Sequence, residues 1–193
     1  MDISSLLAFT REVDRLKMIE RKSLVYSGER LENSAEHSWH LAITVMAFHP
    51  QVAGRVDLLT ALRMAILHDV VEIDAGDTFL YGDHSKKAAE ESASARRIFG
   101  LLPEGREWVE LWERFEAKRC PESIFVGALD RFLPVYSNLL NRGHAWKQHG
   151  ITLEQVVEKS GSAIEAVLPE LWAHLRGLLA AAVAKGELAE KAK

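Results

Sequence analysis

The chain has 193 residues, 48% apolar and 27% charged, enough for one hydrophobic core that buries roughly 70% of the surface the unfolded chain exposes. A formal charge of −4 offers no overall attraction to a polyanion, which argues against nucleic-acid polymers and acidic membrane surfaces as partners, and no stretch approaches the ~18 apolar residues of a membrane helix. A single cysteine, Cys120, and a charged segment from Met1 to Lys22 predict a soluble, cytoplasmic protein without an intrachain disulfide or a signal peptide.

Only 5 prolines and 12 glycines interrupt the chain, and apolar residues recur at helical spacing, so an all-α fold is expected. Ile3, Leu6, Leu7, Val13, Leu16 and Ile19 form one stripe and predict a first helix from about Asp2 to Arg21. The polar stretch Tyr26 to Asn33, with Gly28, reads as a loop. Ser34 is placed to cap a second helix reaching about Phe48, where Pro50 stops it.

Asp57 opens a third helix, Leu58 to about Glu72, with almost no polar face, which predicts a central, buried element. Gly76 marks its exit, and a loop or short turn is expected as far as Asp83. A polar helix from about Ser85 to Phe99 ends at Gly100, and a Pro103-initiated helix carries Trp108, Leu111, Trp112 and Phe115, read as core or a dimer contact. Pro121 begins a helix to Gly143, bent at Pro134. His144, Trp146 and His149 fall in a predicted loop, placed either on the rim of a pocket or at the surface. Thr152 with Gln155 forms a capping box, a Leu- and Ala-rich segment runs from Ser162 to about Ala184 with a break near Pro169, and Glu187 to Lys193 reads as a frayed tail. With no repeat and no linker, residues 1–193 are expected to form one domain, its chemistry-bearing part over about residues 6–140.

His68 and Asp69 stand at the end of the most apolar helix, in Met64-Ala-Ile-Leu-His-Asp-Val-Val. Burying unpaired polar groups costs several kcal/mol, so a partner is required, and a divalent cation suits a neutral imidazole beside a carboxylate. Such a pair can also be purely structural. His37, near the start of the second helix, and Asp130, within Ala128-Leu129-Asp130-Arg131-Phe132, are the further candidates for ligands, delivered from separate helices to the centre of a bundle. His40, three residues from His37, competes as a ligand and is read as a supporting or core residue. Glu72 lies one turn past His68, and Asp77 extends the carboxylates beyond Gly76. A cation with spare carboxylates suits hydrolysis.

The ordered set resembles the HD-domain metal-dependent phosphohydrolases, and within them the 5′-deoxynucleotidase-like group. The resemblance rests on His37, His68-Asp69 and Asp130, together with Leu16-Lys17 and Arg21, Glu32-Asn33-Ser34-Ala35-Glu36-His37-Ser38, Glu72 with Gly76-Asp77, and Glu110-Leu111-Trp112-Glu113. It implies an all-α helical bundle with a central divalent cation (Co²⁺, Mn²⁺, Mg²⁺ or Zn²⁺) on His37, His68, Asp69 and Asp130, and phosphate release from (deoxy)nucleoside 5′-monophosphates. It also implies a homodimer, with Arg21 binding the phosphate, Lys22 beside it at the substrate, and Glu72 and Asp77 acting on the attacking water or the leaving sugar oxygen. Lys22 stands where some relatives carry an aromatic residue that discriminates between sugars. His84, Lys86 and Lys87 are within reach of a substrate by position but read first as the solvated start of a surface helix. Two rival readings are another nucleotide phosphate ester as substrate, either a deoxynucleoside triphosphate or an alarmone, and a nucleotide-binding module without turnover. Val70-Val71-Glu72-Ile73 lacks the adjacent Glu-Asp pair of the alarmone branch.

Overall fold

Asp2 accepts a hydrogen bond from the Ser4 amide at 3.0 Å and so caps α1 (Ile3–Asp14) in the computed structural model, which describes residues 2–82, 85 and 87–191. The helix is shorter than its apolar stripe implied. After a 3-10 turn at Arg15–Met18, Glu20–Leu24 forms strand β1, antiparallel to β2 (Leu31–Asn33), with Glu20 opposite Asn33 and Leu24 opposite Leu31. The stripe misleads because Leu16 and Ile19 reach the same core from different elements. The segment read as a loop is thus partly a hairpin, closed by the Val25 amide on the Arg30 carbonyl and by Gly28 at φ +79°.

Helix α2 (Ser34–Phe48) is capped by Asn33 and not by Ser34. In a capping box the Asn33 side chain accepts from the Glu36 amide and the Glu36 carboxylate accepts from the Asn33 amide, which frees the Ser34 hydroxyl to point inward. Asp57 caps α3 (Leu58–Leu67) through the Thr60 amide, as its sequence position suggested. The predicted continuation to Glu72 instead tightens into a 3-10 turn over His68–Val71, followed by the single turn α4 (Glu72–Ala75), stopped by Gly76 at φ +73°. Nor is α3 wholly buried. Leu59 is 67% exposed and Ile66 52%.

Helices α5 (Lys87–Phe99), α6 (Gly105–Ala117) and α7 (Pro121–Leu140) follow, α6 starting two residues after Pro103 and α7 ending short of Gly143 with Pro134 inside it. Helix α8 (His144–His149) replaces the expected loop, because Asn138 Oδ1 accepts from the Ala145 and Trp146 amides and seats the turn on α7. Then come α9 (Leu153–Val156), capped by Thr152 and Gln155 as expected, a π-helical turn at Val157–Gly161, α10 (Ser162–Glu165) and α11 (Pro169–Ala184). The tail is not frayed where it begins. Leu188 is buried, and the Leu153 amide donates to the Ala189 carbonyl at 2.8 Å. A Cβ on Gly143 would lie 1.8 Å from the Glu187 carbonyl oxygen, so glycine is required for this approach.

The fold is all-α save for the hairpin. Helices α2, α3 and α7 pack mutually at the centre, with α5 and α6 on one side and α10 and α11 against α7. Leu41, Val45, Met64, Phe99, Phe125 and Leu129 are fully buried between them, each contributing about 1.5–3 kcal/mol. Met1, Asp83, His84, Lys86, Ala192 and Lys193, and with them the expectations for His84, Lys86 and the last tail residues, lie outside the described residues.

Candidate functional site

Three of the four predicted ligands converge where α2, the His68–Val71 turn and α7 meet. His37, His68 and Asp130 each offer one ligand atom, and these lie within 4.8 Å of one another. His37 Nε2 is 2.9 Å and His68 Nε2 3.7 Å from Asp130 Oδ1. Asp69 stands against this cluster, with Oδ1 3.1 Å from His68 Nε2, but its Oδ2 accepts a hydrogen bond from Arg21 Nη1 at 2.8 Å. His40 is apart from the cluster. Its ring stands edge-on to Tyr26, and its Nδ1 is 4.0 Å from Glu32 Oε1.

Both imidazoles are oriented from behind. His68 Nδ1 lies 2.9 Å from the Ala65 carbonyl, an acceptor that requires the proton on Nδ1 and turns Nε2 toward the cluster. His37 Nδ1 faces Glu32 Oε2 at 3.4 Å. His68 Nε2 is buried and has no hydrogen-bond partner among the described residues. Behind His68, the ring of Phe115 stands edge-on at 5.2 Å and the Trp112 indole donates to the His68 carbonyl. Leu111, Trp112 and Phe115 are therefore core, and half-buried Trp108 packs on Phe9 and Phe99.

The charges around the cluster call for a cation. Burial alone would push His68 down, yet Asp69 and Asp130 outweigh it and hold the imidazole up at about 10. Burial and Arg21 push His37 down, but hydrogen bonding to Asp130 and Glu32 prevails and raises it. Burial opposes ionisation of Asp69 and Asp130 too, but the histidines, and for Asp69 also Arg21, keep both well below the usual carboxylate range. A divalent cation supplies that positive charge while leaving the imidazoles neutral. The buried lone pair on His68 Nε2 and the two-histidine, carboxylate donor set both fit such an ion.

Arg21 reaches the site from strand β1, not from a helix end, so no helix dipole accounts for it. Its Nη1 also lies 3.5 Å from Asp77 Oδ1. Glu72 is buried in α4 and accepts from Ser34 Oγ at 2.6 Å; burial first, and then the charge of Asp69, push it up to about 9. Burial likewise raises Asp77, with Arg21 pulling the other way.

A cavity of about 380 Å³ opens beside these groups, within the range of small-molecule sites. Arg21, Lys22, Asp69, Glu72, Asp77 and Asp130 line it, together with Tyr81, Pro134 and the buried Trp146. Lys87 also lines it, 3.4 Å from the buried Glu91, and is not the solvated residue that its polar surroundings in sequence suggested. His149 packs on Phe79 at 4.5 Å, behind the cavity wall. Cys120 holds the start of α7 through Ser123. The sequence offered no sign of Glu91 or Tyr81 as lining residues, ranked a substrate contact by Lys87 below a solvated one, and assigned Ser34 to a cap. Glu32 was visible within a motif but without a task.

The chain is 33% identical over 132 residues to the 5′-deoxynucleotidase HDDC2 of Homo sapiens, the match covering 66% of this chain and 63% of that protein. It thus spans less than two thirds of the human relative. A solved structure from Magnetospirillum magnetotacticum MS-1, named as a predicted metal-dependent phosphohydrolase, is 39% identical with a TM-score of 0.91, covering 97% of this chain and 95% of that one. The PH0347 protein of Pyrococcus horikoshii OT3 shares the fold at 20% identity, with a TM-score of 0.68 over 89% of this chain and 99% of that one. The sequence pattern of the HD domain matches residues 13–172, and the chain belongs to the HD domain family.

Proposed function

We propose that this protein is a divalent-metal-dependent 5′-nucleotidase that releases phosphate from (deoxy)nucleoside 5′-monophosphates, acting as a single domain. The observation that carries the reading is the cluster of buried His37 and His68 with half-buried Asp130, opening beside Arg21 onto a cavity of nucleotide size. The human relative named as a 5′-deoxynucleotidase supports the same substrate class.

His37, His68, Asp69 and Asp130 would hold the cation, which supplies Lewis-acid activation of water and of a phosphoryl oxygen. Arg21 binds the phosphate, because its planar fork can leave Asp69 and Asp77 for two phosphoryl oxygens. Lys22, on the cavity lining, adds a second positive charge to the same anion. Glu72, held in its acid form by burial and by Asp69, has a proton to give to the departing sugar oxygen. Asp77, beside Arg21 at the mouth of the cavity, orients the attacking water.

The partner is a small nucleotide. A second copy of the chain is the other partner we propose. Trp39, Ile43 and Met46 form an exposed stripe on α2, and Leu59 and Ile66 one on the neighbouring α3, apolar surface of the kind that symmetric dimers cover. The free thiol of Cys120 fits a cytoplasmic location. No helix among the described residues is long and apolar enough to cross a membrane.

The test is phosphate release from a panel of ribo- and deoxyribonucleoside 5′-monophosphates, with triphosphates alongside, in Co²⁺, Mn²⁺, Mg²⁺ or Zn²⁺. Orthophosphate from monophosphates is expected, lost on chelation. Pyrophosphate or triphosphate as product would replace the reading with a triphosphohydrolase, and no turnover with any metal would overturn it.

A further inference from the structure

We propose that Glu32 is a positioning residue that couples the cation site to phosphate binding, through one carboxylate oxygen that serves both His37 and Arg21. The inference rests on the reading of the site given above.

Glu32 Oε2 lies 3.4 Å from His37 Nδ1 and 3.6 Å from Arg21 Nε. Each of those nitrogens is buried and makes no hydrogen bond among the described residues. Two orphaned N–H groups from different elements therefore face the same acceptor, at distances only slightly beyond hydrogen-bond contact. An unmade hydrogen bond in a buried place is a standing cost, and Glu32 is positioned to remove two of them.

The local fold enforces the arrangement. Antiparallel pairing, with Glu20 opposite Asn33, brings Arg21 of β1 beside Glu32 of β2. The capping box at Asn33 and the Ser34 amide on the Ile19 carbonyl start α2 immediately afterwards, which turns His37 back over the same carboxylate. Closing the contact to His37 keeps the proton on Nδ1 and the Nε2 lone pair toward Asp130, the form a cation requires. Closing the contact to Arg21 uses Nε alone and leaves the outer nitrogens for anions. A cation drawing on His37 and a phosphate drawing on Arg21 thus pull on one oxygen from two sides. Each ligand fixes Glu32 for the other, which is a coupling free energy between two sites.

The experiment measures Mn²⁺ binding to the full chain by calorimetry, with and without inorganic phosphate, for wild type, Glu32→Gln and Glu32→Leu, each checked for folding by circular dichroism. Glu32→Gln keeps an acceptor of the same length but loses the charge, so it remains informative if Glu32→Leu does not fold. Mn²⁺ affinity is expected to fall by about 10-fold in Glu32→Gln and more in Glu32→Leu. The factor by which phosphate tightens Mn²⁺ is expected to shrink at least about threefold. In nitrogen-15 spectra the Nδ1–H tautomer of His37, dominant in wild type, is expected to weaken in the same order, a change that loss of packing would not produce. Mn²⁺ affinity unchanged in both variants, or weakened affinity with the phosphate factor intact, overturns the coupling alone. Wild type that binds no Mn²⁺ overturns the metal reading and this inference with it. Binding and coupling without nucleotide turnover leave the inference standing and remove the nucleotidase assignment.

Discussion

Ser34 Oγ donates to Glu72 Oε2 across 2.6 Å, joining the first residue of α2 to the first residue of α4. The bond fixes a carboxyl that is held up at about 9 by burial and by Asp69, so near neutral pH Glu72 carries a proton. Glu72→Gln keeps the shape and removes the transferable proton. It is expected to keep Mn²⁺ affinity within about threefold while kcat falls at least about 100-fold. Asp69→Ala, in contrast, is expected to lose metal and activity together. Metal binding by calorimetry and phosphate release by steady-state kinetics separate the two, and a Glu72→Gln enzyme within tenfold of wild type would remove Glu72 from the reaction.

Arg21 spans Asp69 and Asp77 from one guanidinium nitrogen while its Nε faces Glu32. A lysine ammonium is a point charge and cannot keep this set while meeting two phosphoryl oxygens. Arg21→Lys is expected to raise KM for a nucleoside monophosphate by about tenfold or more, the cost of one charge-assisted hydrogen bond. An unchanged KM would place the phosphate elsewhere in the cavity.

The exposed stripes on α2 and α3 give a third expectation. Trp39 is 66% exposed, and a charge there or at Ile66 costs the monomer little while opposing apolar contact with a second copy. Trp39→Glu and Ile66→Glu are each expected to halve the mass seen by light scattering without moving the melting temperature of the separated chain. A wild-type protein that already runs as a monomer at micromolar concentration would withdraw the dimer.

Arg97 links α5 to α1 and α4, bonding Glu12 at 2.5 Å and Asp74 at 2.6 Å. The hydrogen bond from Arg97 holds Glu12 below its ordinary carboxylate value despite some burial. A carboxylate depressed in the folded state takes up fewer protons than in the unfolded state, so its contribution is present above the unfolded pKa and is lost as pH falls through the folded one. The Arg97 side chain is 44% exposed, so Arg97→Gln is expected to lower stability by only about 1 kcal/mol near pH 7. The gap should narrow between neutral and strongly acidic pH, as pH falls through the folded-state value of Glu12. Urea midpoints at the two pH values check this, and a gap that persists in acid would mean that Arg97 acts through packing.

The central chemistry was legible because it violates the apolar pattern around it. His68-Asp69 within a hydrophobic run, and Asp130 between Leu129 and Phe132, have no reason to be polar unless something joins them, and the ordered motif supplied His37. What escaped depends on contacts made across the fold. Strands of five and three residues are too short to show a period of two, and Ile19 extended the stripe of α1 across an element boundary. Helix α8 exists because Asn138 accepts from the Ala145 and Trp146 amides, a pairing that no local spacing announces. Ser34 could cap or reach inward, and only the position of Glu72 decides. Lys87 looks solvated in sequence, yet the turn of α5 carries it onto the cavity wall beside Glu91.

The seating of the tail against Gly143 and Leu153 bears on the order in which the protein can become functional during synthesis. Every side chain of the His37, His68 and Asp130 cluster has been added by Asp130, whereas Gly143, which opens α8, meets its close neighbour only once Glu187 has been made. The three side chains of the cluster can therefore meet while the start of α8 is not yet held by the segment around Glu187.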